Sequence, residues 1–269
     1  MQLEDTRIQP HHAAAAAMWG KGGRFYDEVS FAISDALAHA AQRLNARAGQ
    51  TILDVATGTG WSARNAARAG ARVTAVDISA ELVAAARELS AHVRPSIDFR
   101  VADAEALPFA DASFDGVIST FGVMFALDQA RAAQELARVC RPGGRLVLTA
   151  WVPDGSVAEF FAILGKYGDA PPPRSPLAWG DPLEVERLLG RDFRLLFETG
   201  RNHAHHDDAE DIWGWYSRGF GPLRQLIESL EPAAGAALKA EVDAYHQHYV
   251  TEAGLRIPRD YLTTIGRRR

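Results

Sequence analysis

Short runs of β-branched and other apolar residues in this chain are separated by Ala-rich stretches with apolar positions at helical spacing, which predicts strands alternating with helices. Ile52-Leu53-Asp54-Val55 reads as a buried strand, Ser62 to Ala69 as a helix, and Arg72-Val73-Thr74-Ala75-Val76-Asp77 as a second strand. Ile97 to Val101 reads as a third. Upstream, Val29 to Leu44 predicts one helix whose apolar face, Val29, Ile33, Ala36, Leu37 and Ala40, caps the sheet. From residue 151 the pattern predicts a helix over Ser156 to Gly165, a stiff Pro171-Pro172-Pro173 loop and a helix over Pro182 to Leu189. A strand over Phe193 to Thr199 follows. About forty helix-leaning residues, Ala209 to His248, then precede a last strand near Tyr261-Leu262-Thr263-Thr264-Ile265, and are expected to form a lid over the carboxyl edge of the sheet.

The chemistry concentrates where the first strand breaks into Ala56-Thr57-Gly58-Thr59-Gly60-Trp61. Glycines one residue apart permit backbone angles and close ligand approach that a Cβ would block, and the helix that follows presents free N–H groups to an anionic part of a ligand. The second strand ends in Asp77, at the distance from the glycine turn that a strand–helix–strand unit uses to place a carboxylate on ribose hydroxyls. Asp54 precedes the turn, and Asp103 follows the third strand. Ligands of open parallel sheets sit at the carboxyl ends of strands where the winding reverses, so the three acids can face one crevice and serve an ammonium, a diol and a ring amine. Gly58-x-Gly60-x-x-Ala63 also fits a dinucleotide fingerprint, so a nicotinamide-dependent oxidoreductase stands as an alternative.

Five segments, in order and spacing, resemble the class I S-adenosylmethionine-dependent methyltransferases: Ile52 to Trp61, Val73 to Ser79, Val101 to Phe109, Ser113 to Ser119, and Leu136 to Ala150 with its Arg141-Pro142-Gly143-Gly144-Arg145 turn. The likeness is strongest to the branch containing the ubiquinone and menaquinone methyltransferases. It extends more loosely, through Phe121 to Ala126 and the Pro-Pro-Pro…Trp-Gly stretch near 171–180, to bacterial small-molecule enzymes. The resemblance implies an α/β, doubly wound, Rossmann-like and mostly parallel seven-stranded sheet with a helical lid insertion. An N-terminal helical cap (1–48), a cofactor-binding core (49–151) and a remainder completing the sheet (152–269, lid at about 209–248) would form one domain.

It also implies S-adenosylmethionine as cofactor and S-adenosylhomocysteine as product. Ala56, Gly58 and Gly60 would lie along the cofactor, the two glycines against its methionine moiety, and Asp54 would help orient the amino group. Asp77 would take the ribose hydroxyls, Ile78 would pack on adenine, Asp103 would accept from the adenine amine, and the Ala104 amide would donate to the ring. Thr120 and Phe121 would supply backbone contacts to the amino acid end. Asp115 reads differently, as a structural residue setting the entry of strand four. By family analogy, the glycine- and aromatic-rich loop Trp19 to Tyr26 becomes a flap over the cofactor.

Composition narrows the acceptor. A chain of 269 residues with net charge −5 and 47% hydrophobic residues suits an ordinary globular protein. No apolar run approaches the ~20 residues that span a bilayer, and Ala13 to Ala17 lacks the flanks of a secretory signal, so no membrane association and a cytoplasmic location are expected. Mild acidity and the absence of basic clusters other than a solvated Arg267-Arg268-Arg269 tail argue against nucleic acid and for a small-molecule substrate. The place after strand four reads Ser119-Thr120-Phe121-Gly122, not the Asn/Asp-Pro-Pro-aromatic motif of many enzymes that methylate bases or glutamine. The single cysteine, Cys140, reads as a core residue on the helix face before the Pro142-Gly143-Gly144 turn.

Trp213, Tyr216 and Phe220 share a face of the lid and, with Met124, Phe125 and Trp151, are candidates to line an apolar acceptor pocket. Core packing is the competing reading. In His203-Ala204-His205-His206, strand alternation separates His206 from the other two, so no metal is expected. His203 and His206 are weakly supported as catalytic bases. Methyl transfer from a sulfonium needs alignment and exclusion of water more than acid–base help, and the residues do not choose among oxygen, nitrogen and carbon acceptors. A non-catalytic protein that binds S-adenosylmethionine is the second alternative.

Overall fold

The computed structural model describes residues 8–168 and 174–269, so the expected Pro171-Pro172-Pro173 loop lies outside the described residues. The chain enters through α1 (Ala13–Gly20), α2 (Tyr26–Phe31) and α3 (Ser34–Leu44). Alternation of strand and helix follows: β1 (Thr51–Val55), α4 (Trp61–Arg68), β2 (Arg72–Asp77), α5 (Ala80–Leu89), β3 (Asp98–Val101), β4 (Phe114–Thr120), α6 (Gln129–Val139) and β5 (Cys140–Trp151). The remainder comprises α7 (Ser156–Gly165), α8 (Pro182–Leu189), β6 (Phe193–His206), α9 (Ala209–Gly219), α10 (Gly221–Ser229), α11 (Pro232–Gln247), β7 (Val250–Thr251) and β8 (Gly254–Arg268).

The strands lie in the order β3-β2-β1-β4-β5-β8-β6, with the two-residue β7 paired beside β8. Pairing is parallel as far as β5, whereas β8 runs antiparallel to both β5 and β6. The winding reverses between β1 and β4. Side-chain alternation divides the strands between two cores. Leu53, Val55, Val117, Leu146 and Leu148 pack on one side with α6 and α8. Ile52, Val73, Ala75, Ile118 and Val147 meet the small face Ala63, Ala66 and Ala67 of α4 on the other. Small residues on α4 let the helix approach the sheet closely, which holds the preceding glycine turn against the strand ends.

Several details differ from the sequence-based expectations. The single helix predicted over Val29 to Leu44 is two helices, because the backbone leaves helical geometry at Ile33 (φ −122°, ψ 18°) and reorients there. The segment Trp19 to Tyr26, expected as a loop, is mostly helical, with a 3-10 turn over Gly23–Phe25. Cys140 is buried, but it opens β5 instead of lying on a helix face. Arg141 to Gly144 form a bulge, across which the β4 register jumps from Phe114↔Cys140 to Gly116↔Arg145. The basic end is no free tail: Arg267 and Arg268 belong to β8, and Arg268 donates to the Ala137 carbonyl at 2.9 Å and pairs with Asp192 at 3.1 Å.

The β6–β8 hairpin extends well beyond the strands expected there, from Phe193↔Arg268 to His206↔Leu255. Helices α9, α10 and α11 are inserted at its far end, within the expected lid span. They form a separate apolar cluster around Leu223, Leu238, Val242 and Tyr245, with Phe160 of α7 joining it. No described helix is long and apolar enough to cross a membrane.

Asp115 has the structural setting expected of it. Its Oδ2 accepts from the Thr51 amide at 2.6 Å and the Thr51 hydroxyl at 3.0 Å, and its Oδ1 pairs with Arg141 at 2.8 Å. Burial opposes the charge, but the Thr51 donors and the Arg141 guanidinium outweigh it and hold the carboxyl below the usual carboxylate range. Asp115→Ala is therefore expected to lower stability by about 1–3 kcal/mol in urea denaturation at neutral pH. Because the folded pKa is depressed, this contribution is present above the unfolded value of about 4 and disappears as pH falls through the folded one. An undiminished mutant deficit below that value would contradict the assignment.

Candidate functional site

At the carboxyl edge, the strand ends are brought level by backbone hydrogen bonds that continue past them. The Thr57 amide donates to the Val76 carbonyl, the Ala102 amide to Asp77, and the Phe121 amide to Thr149, each at 2.9 Å. The chain then turns sharply: Ala56 (φ 54°) and Phe121 (φ 55°) both occupy the left-handed region, which costs a residue with a side chain about 1–3 kcal/mol. Two strained exits side by side open a crevice where the winding reverses. Gly122 allows it, since a Cβ there would lie 2.5 Å from the Ala56 Cβ.

A cavity open to solvent fills this crevice. Its wall includes Ala56, Gly58, Asp77, Ile78, Asp103, Ala104, Thr120 and Phe121, eight of the ten positions expected along a cofactor. Asp77 is buried and fixed by backbone donors: the Gly58 amide reaches Oδ2 at 2.8 Å and the Ser79 amide reaches Oδ1 at 3.0 Å. Each oxygen keeps a second lone pair, so the carboxylate retains acceptor capacity for a diol. Burial raises its pKa, against which the Ser79, Gly58 and Ile78 amides work. Gly58 itself (φ 55°) lies under the Tyr26 ring, which an added Cβ would approach to 3.0 Å.

Two expected positions stand behind the wall. Gly60 (φ 88°) faces the Phe99 ring, 3.0 Å from where its Cβ would lie, so its role is close packing of the turn on β3. Asp54, 1% exposed, accepts from the Thr57 hydroxyl at 2.6 Å through Oδ2, while its buried Oδ1 has no partner. Burial pushes its carboxyl up to about 7. Its hydrogen-bond partner Thr57 does line the cavity.

Asp103 lines the cavity, but both of its oxygens already have protein partners. Oδ1 accepts from the Glu105 amide at 2.9 Å; Oδ2 lies 2.6 Å from His12 Nδ1 and accepts from Gln9 at 3.1 Å. An adenine amine would have to use the remaining lone pair of Oδ1. Gln9 and His12 come from a segment some ninety residues away, and no local pattern announces them. His12 also points Nε2 at Glu105, 3.3 Å away. Together with His11, these are the one group among the described residues whose donor atoms cluster within 4.8 Å as metal ligands would.

A second cavity adjoins the first and shares Trp19, Tyr26, Ile33, Phe121 and Phe125 with it. Among the expected acceptor residues, Phe125, Trp151 and Tyr216 line this space, as does Phe220. Met124 and Trp213 do not. Met124 is 1% exposed in the central core, and Trp213 faces Lys239, whose Nζ lies 5.7 Å from the ring centroid. His203 and His206 line neither cavity: His203 pairs with Pro258 in the hairpin, and His206 is held by Asp211 at 2.9 Å. A base must reach the reacting group, so this placement does not support either residue in that role.

The structure adds residues that local motifs did not single out, above all Tyr245, His246 and Arg259 in the second cavity. A signal for Arg259 was present: Leu255, Ile257, Arg259 and Tyr261 alternate along β8, and all four are buried. Trp19 and Tyr26 close both cavities from the N-terminal cap. Trp19 packs against Phe125 at 4.8 Å and Phe220 at 5.9 Å between ring centroids, linking cap to lid.

A doubly wound sheet of this strand order, with an acid-lined cavity at its switch point, defines an α/β nucleotide-type ligand binder. The comparisons with known proteins make this specific. The methyltransferase domain family matches residues 53–148. An uncharacterised protein of Mycobacterium tuberculosis is 34% identical over 253 residues, covering 89% of this chain and 87% of its own. The demethylmenaquinone methyltransferase of Renibacterium salmoninarum is 45% identical over 100 residues, 37% of this chain and 40% of that protein. Among solved structures, phosphoethanolamine N-methyltransferase 2 of Haemonchus contortus in complex with S-adenosyl-L-methionine aligns with a TM-score of 0.57 at 20% identity, covering 87% of this chain and 52% of that one. The chain belongs to the class I S-adenosylmethionine-dependent methyltransferases. With that, the nicotinamide alternative loses its support, since Gly58-x-Gly60-x-x-Ala63 serves the methyltransferase turn equally well.

If Asp77 grips the ribose, Asp77→Asn should weaken S-adenosylmethionine binding by about 10- to 150-fold, or about 1.5–3 kcal/mol, in calorimetry; unchanged affinity would refute the role. Asp54 gives a pH dependence of definite sign. With its carboxyl pushed up to about 7, it is mostly neutral below that pH in the free protein, and a cationic amino group favours the charged form. Affinity should rise as pH increases through 7, and Asp54→Asn should flatten the profile. A fall in affinity over that range would contradict the assignment.

Proposed function

We propose that the protein transfers a methyl group from S-adenosylmethionine to a small-molecule acceptor, with the cofactor in the acid-lined cavity and the acceptor in the aromatic one. The observation carrying this reading is the shared wall: five residues belong to both cavities, so molecules bound in each would meet between Phe121 and the cap residues Trp19 and Tyr26. The first cavity fits the cofactor in kind. It offers a carboxylate with spare acceptor capacity, an apolar contact at Ile78, and a glycine turn closed by Tyr26.

When bound, S-adenosylmethionine supplies an electrophilic methyl group on a good neutral leaving group. The protein's share is alignment and exclusion of water. Asp77 and the Gly58 turn fix one end of the cofactor, Asp54 acts on the other through Thr57, and Trp19, Tyr26 and Phe125 shield the junction. Burial presses His246 down to about 4, which leaves its imidazole neutral at physiological pH and hence a weak base. No side chain is assigned the part of general base. Similarity to a demethylmenaquinone methyltransferase over the cofactor-binding part supports a small, flat acceptor, and so do the rings lining the second cavity. One domain, with the N-terminal cap and the 209–248 lid closing over the sheet, and a cytoplasmic setting complete the proposal.

Calorimetry of the purified protein with S-adenosylmethionine, followed by assay of S-adenosylhomocysteine formation across aromatic hydroxyl, amine and carbon acceptors, tests it. Binding well above that of adenosine and turnover of at least one acceptor are expected. Affinity no better than that for adenosine would end the cofactor assignment, and tight binding without turnover across the panel would favour the non-catalytic alternative.

A further inference from the structure

The acceptor cavity is aromatic on most sides, yet it contains a buried cation. Arg259, 5% exposed, projects from β8 into this space. Its guanidinium is held by neutral groups: Nε donates to Asn202 Oδ1 at 2.9 Å, and Nη2 donates to Asn202 Oδ1 and to the Ala32 carbonyl at 2.7 Å. Its Cζ lies 5.8 Å from the centroid of the Trp151 ring. Among the described residues, no carboxylate stands within ion-pair distance. Asp35 accepts from Asn202 Nδ2 at 2.6 Å and acts on Arg259 through its field, without touching the guanidinium.

A buried charge is ordinarily paired, because neutral hydrogen bonds recover only part of what withdrawing it from water costs. Here its hydrogen-bonding partners carry no charge, and the neighbouring polar groups on the cavity wall do not supply one. The Tyr245 hydroxyl is committed to the Ser156 carbonyl at 2.8 Å, and His246 is buried with Nδ1 unpartnered. Tyr216 lies beside Arg259, and burial raises its pKa, so it stays a neutral donor. No carboxylate touches the guanidinium, so a ligand entering the cavity meets a positive charge on its wall.

We propose that the acceptor is a flat, largely aromatic molecule carrying an anionic oxygen, a carboxylate or an ionised acidic hydroxyl, and that Arg259 selects it by charge with Tyr216 as a second donor. This rests on the methyltransferase reading of the adjoining cavity. The walls include the rings of Phe121, Trp151, Phe160 and Tyr216, which present faces and edges suited to a flat molecule. Cationic and neutral analogues of the same shape are discriminated against, since they leave the guanidinium uncompensated.

The test uses the full chain saturated with S-adenosylhomocysteine and compares 2-naphthoate, its neutral isostere 2-naphthamide, and 2,4-dinitro-1-naphtholate by calorimetry. At least one of the two anions should bind ten times more tightly than the amide; which one it is identifies the carboxylate or the ionised hydroxyl. Arg259→Met should abolish that preference while leaving S-adenosylhomocysteine affinity within twofold, and Arg259→Lys should retain part of it. If Arg259→Met does not fold, the wild-type ratio and its reduction in Tyr216→Phe decide. Normal S-adenosylhomocysteine binding with equal affinities for all three probes, including none measurable, overturns this inference alone, as does a preference that survives Arg259→Met. Absence of S-adenosylhomocysteine binding overturns the underlying reading and this inference with it.

Discussion

The pair of hydrogen bonds that the Asp77 carboxylate accepts from the Gly58 and Ser79 amides organises the rest of the site. It ties the turn after the first strand to the end of the second, and it does so only because parallel pairing brings Val55 opposite Val76. A slip of one residue would turn Asp77 to the other face of the sheet and leave the glycine turn without its acceptor. Burial makes the arrangement costly for a carboxylate, and the amides that offset part of the cost are the same ones that set its direction. The side chain is therefore oriented before any ligand arrives.

Around this fixed edge, the variable parts of the chain supply closure. The N-terminal cap is fastened to the core by Asp27, which accepts from Trp61 at 2.7 Å and pairs with Arg64 at 3.2 Å. It reaches the lid through Trp19 and through Arg224, which donates to the Lys21 carbonyl at 2.9 Å. Aromatic rings suit this junction because they bury large areas with few rotatable bonds and present edges and faces to one another. The extended β6–β8 hairpin carries the lid outward from the sheet edge and also delivers Arg259 to the cavity. The sheet thus provides precision at the acid-lined cavity, and the inserted helices and hairpin give the aromatic cavity its shape and charge.

The core elements were legible because their physics is local. β2, α7 and α8 begin and end where alternation, apolar spacing and a Pro at the first helical position place them. The glycine turn, Asp77 and Ile78 were readable for the same reason, since a strand–helix–strand unit converts sequence spacing into position. Residues set by contacts between distant segments were not. Met124 and Phe125 are adjacent apolar residues, yet one is sealed in the core and the other faces both cavities. Trp213 and Tyr216 share a helix whose rotation depends on its docking against Phe160 and Tyr245, and only Tyr216 reaches the cavity. Asp103 was found as a cavity residue, but its occupation by Gln9 and His12 was invisible.

What the sequence determined by itself is the alternating fold and the acid-lined carboxyl edge of the sheet, because hydrophobic period, glycine placement and strand-end acids act over a few residues. Tertiary structure decided the aromatic cavity. Its walls come from the cap, α7, the lid and β8, and which side chains converge there is set by packing between segments far apart in the chain, where a one-residue pattern carries no information about its eventual neighbour.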